Sequence, residues 1–262
     1  MPPKKPRAHY VVTPAPQPSL TQVLSEIKND FDTAAMTGGH TGLTSLTRSA
    51  RPITRLHQHV ADLLVRAGIA PNCVDLEVSI STLFGDKRQD VVAIPRGRNR
   101  PTGASTLSVG LKGQMYGIQK NLDNHFSSVR AELLNLHEMH GEIVCGHVHL
   151  VNVMEWDTKA AKQHRVAYKK LSPTTLAAMV HRYGIISGRQ VKQSHGFAER
   201  LALVLVDFSQ RTPVVYTDVA DLERDEFLPA GSGLSLIDLT LDGFADDLVA
   251  VHRSRYFGAN RL

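Results

Sequence analysis

The sequence predicts an α/β protein, in which helices flank a mixed central sheet and further elements follow the core. A helix, three short strands, a long helix and a fourth strand follow one another between residues 52 and 153. Apolar residues recur at every second position in the strands and three or four positions apart in the helices. The chain has 262 residues, which is enough to bury a large core.

The segment before the core is predicted to contain an arm, a helix and a loop. Residues 1–19 are rich in proline, have few large apolar residues and show no periodicity, so we predict a flexible basic arm. A first helix is predicted from Leu20 to Phe31. Residues 37–47 are rich in Gly and Thr and are predicted to form a loop.

Periodicity defines the elements of the core, and Gly or Pro residues set several of their ends. The third strand has an apolar face formed by Leu107, Val109 and Leu111, and a small polar face that includes Lys112. The predicted core elements are, in order, the helix 52–67, the strands 74–84, 90–94 and 105–114, the helix 118–141 and the strand 143–153.

The pattern is weaker after the fourth strand, where residues 157–195 read as an insertion that carries basic residues. No sharp linker separates this region from the core, so we predict a single domain over 20–262 with a core at 52–153 and an elaboration at 154–262. The predicted elements of the elaboration are the helix 173–183, the strands 201–208 and 214–216, and a mixed acidic element at 235–251.

Composition excludes several classes of protein. No apolar run approaches the roughly 20 residues that cross a bilayer, and residues 1–18 lack the apolar centre of a secretory signal. Two cysteines, Cys73 and Cys145, do not make a disulfide framework. We therefore expect a cytoplasmic protein with no membrane partner.

Basic residues suggest a polyanionic partner. The formal net charge is +5, and the sequence pI is near 9.3. The charge falls in three clusters: in the proline-rich arm, in a Gly/Pro loop after the second strand, and after the fourth strand. Such clusters around one predicted sheet favour contacts with phosphates. Their members are Lys4, Lys5 and Arg7; Arg96, Arg98 and Arg100; and Lys159, Lys162, Arg165, Lys169 and Lys170.

Asp90, Lys112 and Glu132 form the candidate catalytic set. Asp90 begins the second predicted strand, and Lys112 lies on the polar face of the third. Glu132 lies about 70° from the centre of the apolar stripe of the long helix, so Glu132 borders the sheet. Glu77 is placed on the polar face of the first strand, the same face as Lys112. Gln114 lies two residues beyond Lys112 and could orient water or phosphate.

The order of elements and the stretch LSVGLKGQMYGIQKNLDNHFSSVRAELLNLH resemble restriction endonucleases of the PD-(D/E)xK nuclease superfamily, over residues 52–153. The aspartate of the family's proline–aspartate pair is matched by Asp90, and Gln89 replaces the proline. Lys112 matches the lysine of the (D/E)xK tripeptide, whereas Gly110 stands where that tripeptide has its acid.

This resemblance implies a Mg²⁺-dependent, site-specific endonuclease of restriction type that acts on double-stranded DNA. Asp90 would bind the metal together with Glu132 or Glu77, since the second acid of this superfamily can migrate onto the long helix. Lys112 would position or activate the attacking water. A palindromic target would favour a homodimer. The residues expected to contact DNA are Arg96, Arg98, Arg100 and Lys120.

Two other functions remain open from the sequence. A non-catalytic DNA-binding protein could have kept this fold and lost the acid at Gly110. A zinc-dependent hydrolase could use the histidines between His137 and His149, because His147 and His149 share a strand face. The potential zinc ligands of this segment are His137, Glu138, His140, Cys145, His147 and His149.

Overall fold

A computed structural model of the chain describes residues 18–49, 51–95, 105–189 and 195–257. The helices in these ranges are α1 (Leu20–Arg48), α2 (Arg51–Arg66), α3 (Ile118–Met139), α4 (Thr158–Ala161), α5 (Pro173–Ile186), α6 (Val219–Arg224) and α7 (Phe244–Phe257). The strands are β1 (Val74–Thr82), β2 (Gly85–Ala93), β3 (Leu107–Gln114), β4 (Val144–Asn152), β5 (Met154–Trp156), β6 (Tyr168–Lys170), β7 (Arg200–Asp207) and β8 (Val214–Tyr216).

The central sheet has six strands in the order β1-β2-β3-β4-β7-β8. The neighbours β3, β4 and β7 are parallel, whereas β1–β2, β2–β3 and β7–β8 are antiparallel. Strands β5 and β6 form a separate two-stranded sheet. The predicted α/β class with a mixed sheet flanked by helices is confirmed. The region after residue 153 also contributes β7 and β8 to this sheet.

Helices cover both faces of the sheet. On one face α1, α2 and α7 pack against Leu107, Val109 and Leu111 of β3. On the other face α3 and α5 pack against β4 and β7. Ser108 is 1% exposed, so the predicted polar face of β3 is buried as well.

The prediction of a loop at residues 37–47 is wrong, because α1 continues to Arg48. The helix is interrupted only at Gly39, where φ is 59° and ψ is −146°. That backbone conformation suits glycine, which has no Cβ to clash. Ala35 and Leu43, on either side of the break, are fully buried. Burial of this apolar face outweighs the weak helix propensity of the Gly and Thr residues.

Strand β1 changes face at Glu77. This residue has φ of 55°, in the left-handed region that non-glycine residues seldom adopt. Val74 and Leu76 pack on the α2 side of the sheet, whereas Val78 and Ile80 pack on the α3 side. The alternation of the sequence therefore does not describe one continuous face, because a single left-handed residue reverses it.

No helix in the described ranges is both long enough and apolar enough to span a membrane.

Candidate active site

Strands β2 and β3 separate at Asp90. Their ladder has three pairs, ending at Val91 opposite Val109, and Asp90 and Gly110 would be the next pair. Instead, the carboxylate Oδ2 of Asp90 accepts a hydrogen bond from the backbone N–H of Leu111 at 2.6 Å. The Asp90 carboxylate thus binds a backbone N–H of β3 at the point where the β2–β3 ladder ends. This hydrogen bond fixes the position of the Asp90 side chain relative to β3.

Glu132 of α3 reaches β3 at Gly110. The Oε2 atom of Glu132 accepts a hydrogen bond from Nζ of Lys87 at 2.8 Å. The other oxygen, Oε1, lies 3.2 Å from the point at which a Cβ on Gly110 would stand. The carboxylate of Glu132 therefore occupies the space beside the strand that a side chain at position 110 would enter. We call Asp90, Gly110, Lys112 and Glu132 the Asp90 site.

Glu77 approaches Asp90 from the opposite side. Its carboxylate pairs with Arg88, and its Oε1 atom lies 4.0 Å from Nδ1 of His57 in α2. Nε2 of His57 lies 3.7 Å from Oδ1 of Asp90. The prediction that Glu77 shares the face of Lys112 is wrong, because its left-handed backbone turns the side chain toward α2.

Lys112 is half-buried on the face of β3 that α3 covers. It is the register partner of His149, as Gly110 is of His147, in the parallel ladder between β3 and β4. The charge of Lys112 acts on its surroundings: after burial, it contributes to the lowered pKa of His125, and it partly opposes the rise that burial causes in the pKa of Asp90. The strand thus places this cation within electrostatic reach of the Asp90 carboxylate.

The pKa of Asp90 is raised above its ordinary value, chiefly by burial. His57, the Leu111 N–H group and Lys112 oppose that rise, whereas the nearby carboxylate of Glu132 adds to it. Two partly buried carboxylates that repel one another are stabilised by a cation between them. The electrostatics of the Asp90 site therefore suit a bound cation.

The predicted zinc ligands do not form one cluster. Within the described ranges, one group of three potential ligands has its ligand atoms within 4.8 Å of one another: His137, Cys145 and Glu199. Glu138 pairs with His195, and His140 bonds the carbonyl of Ser81. Asp90, Glu132 and Glu77 form no such compact group either.

Glu199 is neutralised by protein groups. Its Oε1 atom binds Arg189 at 2.6 Å and Arg255 at 2.7 Å, and its Oε2 atom accepts the N–H of Cys145 at 2.6 Å. Burial alone would raise its pKa, but hydrogen bonding to His137 and the charge of Arg255 outweigh that effect and lower it to about 2. Two guanidinium groups would repel a zinc ion, so this cluster is better described as a buried ionic network joining α7 and β7 to β4.

Sequence reasoning missed Glu199 and had no signal for it. Glu199 directly precedes β7, and its backbone N–H donates to the carbonyl of Cys145, a contact that depends on the pairing of β4 with β7. The other predicted residues are accounted for as follows. Gln114 is buried, and neither polar atom of its side chain has a hydrogen-bond partner among the described residues. Lys120 is exposed in the first turn of α3. Arg96, Arg98 and Arg100 lie outside the described residues.

Comparison with known proteins identifies no relative. No protein-family model matches the chain, and neither a curated protein nor a solved structure matches it significantly.

Proposed function

We propose that the protein is a Mg²⁺-dependent endonuclease of restriction type, which hydrolyses phosphodiester bonds of double-stranded DNA. One observation carries the proposal: the Oε1 atom of Glu132 lies beside Gly110, 3.2 Å from where a Cβ would stand. The acid missing from the third strand is thereby replaced from the following helix. The succession α2-β1-β2-β3-α3-β4 supports the proposal, since it resembles the PD-(D/E)xK core.

The residues present fit a magnesium ion. Mg²⁺ prefers oxygen ligands and is commonly held by one or two carboxylates, with waters and phosphate completing the shell. Asp90 and Glu132 supply the two carboxylates; the pKa of Asp90 is raised chiefly by burial, and the charge of Glu132 adds to that rise. When bound, the ion would polarise a phosphoryl oxygen and lower the pKa of the attacking water.

The protein's own groups have separate roles in this proposal. The Leu111 N–H group fixes Oδ2 of Asp90, and Oδ1 lies 3.7 Å from Nε2 of His57. Glu132 contributes Oε1, while Lys87 holds Oε2 in place. Lys112 would orient the attacking water and offset the negative charge that grows on the phosphate in the transition state.

DNA would be bound by basic residues of the chain. We assign phosphate or base contacts to Arg96, Arg98 and Arg100, because arginine pairs bidentately with guanine and with phosphate. Lys120 is exposed where α3 begins, shortly after β3 ends, and would contact phosphate. A two-fold symmetric target would bind a homodimer of this chain.

The proposal is tested by incubating the purified protein with mixed plasmid DNA, with and without Mg²⁺, and separating the products on a gel. Discrete fragments that require Mg²⁺ are expected. Asp90→Ala and Lys112→Ala should each abolish cleavage and leave DNA binding largely intact. Asp242→Ala, an exposed acid before α7, is the control and should cleave normally. Near-normal cleavage by either site variant, with its fold checked by circular dichroism, would refute the assignment.

A non-catalytic DNA-binding protein is the second candidate. One observation favours it: Lys87 already neutralises Glu132 through a 2.8 Å contact, so this acid could serve only as half of an ion pair. In that case the same gel would show retarded but intact plasmid, with or without Mg²⁺.

A further inference from the structure

A cavity of about 850 Å³ opens at the end of the sheet where β2 stops and β3 starts. Its walls come from the segment between α2 and β1, from the end of β2 and from the last turns of α7. Binding sites for small molecules commonly have volumes of this size. Phe257 is 70% exposed beside the cavity. The apolar side chains of the lining include Ile69, Ala93, Ile94, Pro95 and Phe257.

The cavity is separate from the Asp90 site, since none of the four residues of that site lines it. Thr106, which does line it, directly precedes β3, whereas Lys112 lies six residues further along the chain. An extended strand rises by about 3.3 Å per residue, so the two positions are about 20 Å apart. A ligand in the cavity would therefore not occupy the place of a phosphate at the Asp90 site.

The interior of the cavity offers few free polar groups. The hydroxyl of Thr106 is bonded to Nε2 of His252 at 2.8 Å. A water molecule inside a protein needs two to four polar partners, so this interior favours an apolar occupant. The lining residues whose backbone N–H groups donate to backbone carbonyls are Ile69, Cys73, Ile94 and Thr106.

The lining carries a positive charge and no negative one, because it contains Arg253 and neither Asp nor Glu. Burial, and after it the charge of Arg253, lowers the pKa of His252 to about 4, so this imidazole is neutral at pH 7. Arg253 is exposed, and its Nη2 atom donates to the carbonyl of Ala67 at 3.2 Å. No acidic side chain in the described ranges pairs with Arg253. A guanidinium group has five N–H donors, so several remain for an anion.

We infer that this cavity binds a small amphipathic anion, whose aliphatic chain fills the apolar interior and whose carboxylate pairs with Arg253. Arginine binds carboxylates through two parallel hydrogen bonds, which would orient the ligand with its head at the mouth of the cavity. The inference goes beyond the proposed function, because it requires neither DNA nor a metal ion.

The cavity contains its own reporter of occupancy. Cys73 is a half-buried free cysteine of the lining, whereas the second cysteine, Cys145, is 1% exposed. The test follows the alkylation of Cys73 by iodoacetamide in the full-length protein, read by peptide mass spectrometry, while octanoate is added. We expect saturating octanoate to slow this alkylation at least fivefold.

Chain length and charge are tested by isothermal titration calorimetry. Affinity should rise about fourfold for each methylene added between hexanoate and decanoate, all kept below the concentrations at which they form micelles. Arg253→Gln should bind octanoate about tenfold more weakly and should bind 1-octanol, which has the same chain without the charge, as the wild type does.

Blocking the cavity should abolish binding of both compounds. Ala70→Trp places a large ring at an exposed position of the lining. Ala230→Trp, at an exposed alanine outside the lining, is the matched control and should bind like the wild type. Circular dichroism checks the fold of each variant. If Ala70→Trp does not fold, the comparison of octanoate with octanol in Arg253→Gln still decides the matter.

Four results would overturn the inference. They are an alkylation rate of Cys73 that octanoate leaves unchanged, an Arg253→Gln variant that loses octanol and octanoate equally, and octanoate binding that persists in folded Ala70→Trp. The fourth is a Cys73 that does not react in the folded protein before any ligand is added, since this would show that the protein itself fills the cavity. None of these results bears on cleavage of DNA, so the proposed function stands or fails separately.

Discussion

Moving the carboxylate from α3 back to β3 would test the Asp90 site directly. In Glu132→Ala the acid is removed, and in the double variant Gly110→Asp with Glu132→Ala it is restored on the strand. A Cβ on Gly110 would lie 3.2 Å from Oε1 of Glu132. The carboxylate of an aspartate at 110 begins one bond beyond that Cβ, so its oxygens fall close to the present position of Oε1.

The structure also indicates how much cleavage activity each variant should lose. A metal-polarised phosphoryl group is worth several kcal/mol of transition-state stabilisation, and each 1.36 kcal/mol is a factor of ten in rate. Glu132→Ala should therefore lower Mg²⁺-dependent cleavage by about 100-fold or more. Gly110→Asp alone should also lose activity, because its side chain enters space held by Glu132 and by His147, whose Nδ1 atom lies 3.1 Å from the new Cβ.

The double variant should recover at least about tenfold over Glu132→Ala, since truncation of Glu132 removes one of the two close contacts. Lys87 loses its partner in this variant, but its side chain is 40% exposed, so water can replace the ion pair at little cost. The assay is the initial rate of plasmid linearisation over a titration of Mg²⁺, with thermal unfolding as the control for stability.

Conservative variants complete this test. Glu132→Gln keeps the shape of the side chain and removes its charge, so it should depress cleavage by orders of magnitude. Normal cleavage by Glu132→Gln together with an inactive Glu77→Gln would assign the second acid to β1. If both variants cleave normally, the two-carboxylate reasoning is wrong. If the double variant is no more active than Glu132→Ala, a carboxylate at position 110 cannot replace the carboxylate of Glu132.

Three further predictions concern charge. Replacing Arg96, Arg98 and Arg100 together should weaken DNA binding and flatten its dependence on salt, and an unchanged slope of log affinity against log salt would contradict this. The pKa of buried Asp62 is raised to about 6 by burial, against the opposing charge of a nearby arginine, so the folded state holds the proton more tightly than the unfolded chain. The free energy of unfolding should therefore fall as pH rises from about 4 to 6 and stay lower above pH 6. Asp62→Asn should remove up to about 3 kcal/mol of this loss. A difference in urea midpoint between the variant and the wild type that is the same at pH 4 and pH 8 would refute the shift. Glu199→Gln should destabilise the fold by about 3–5 kcal/mol, because two buried guanidinium groups lose their counter-ion, and a change below 1 kcal/mol in urea unfolding would show that the network contributes little.

The sequence was most informative where one local pattern decides the structure. Periods of two and 3.6 residues located β3 and α3, because side-chain direction in strands and helices follows from backbone geometry alone. The same geometry placed Glu132 at the border of the packed face of α3, where the structure has it buried against Gly110. Lys112 was placed on its strand face on the same grounds. The prediction that Asp90 begins the second strand is wrong, because β2 starts at Gly85 and Asp90 lies in its interior.

Local patterns failed where packing outweighed local preference. The Gly- and Thr-rich stretch after residue 36 was predicted as a loop, but burial of Ala35 and Leu43 keeps it helical on both sides of Gly39. Glu77 was assigned to the wrong face because one left-handed residue reverses the alternation of a strand. A sequence carries no sign of such a residue unless it is glycine or asparagine.

Contacts between distant segments were decided only by the tertiary structure. His147 stands beside Gly110 because of the register between β3 and β4, and Glu199 meets Cys145 because β4 pairs with β7. The sequence alone established an α/β chain with an acid, a lysine and a helical glutamate near one sheet. Which acid reaches the strand, and which histidine accompanies it, follows from strand register and helix packing, because these fix distances between residues that no local pattern connects.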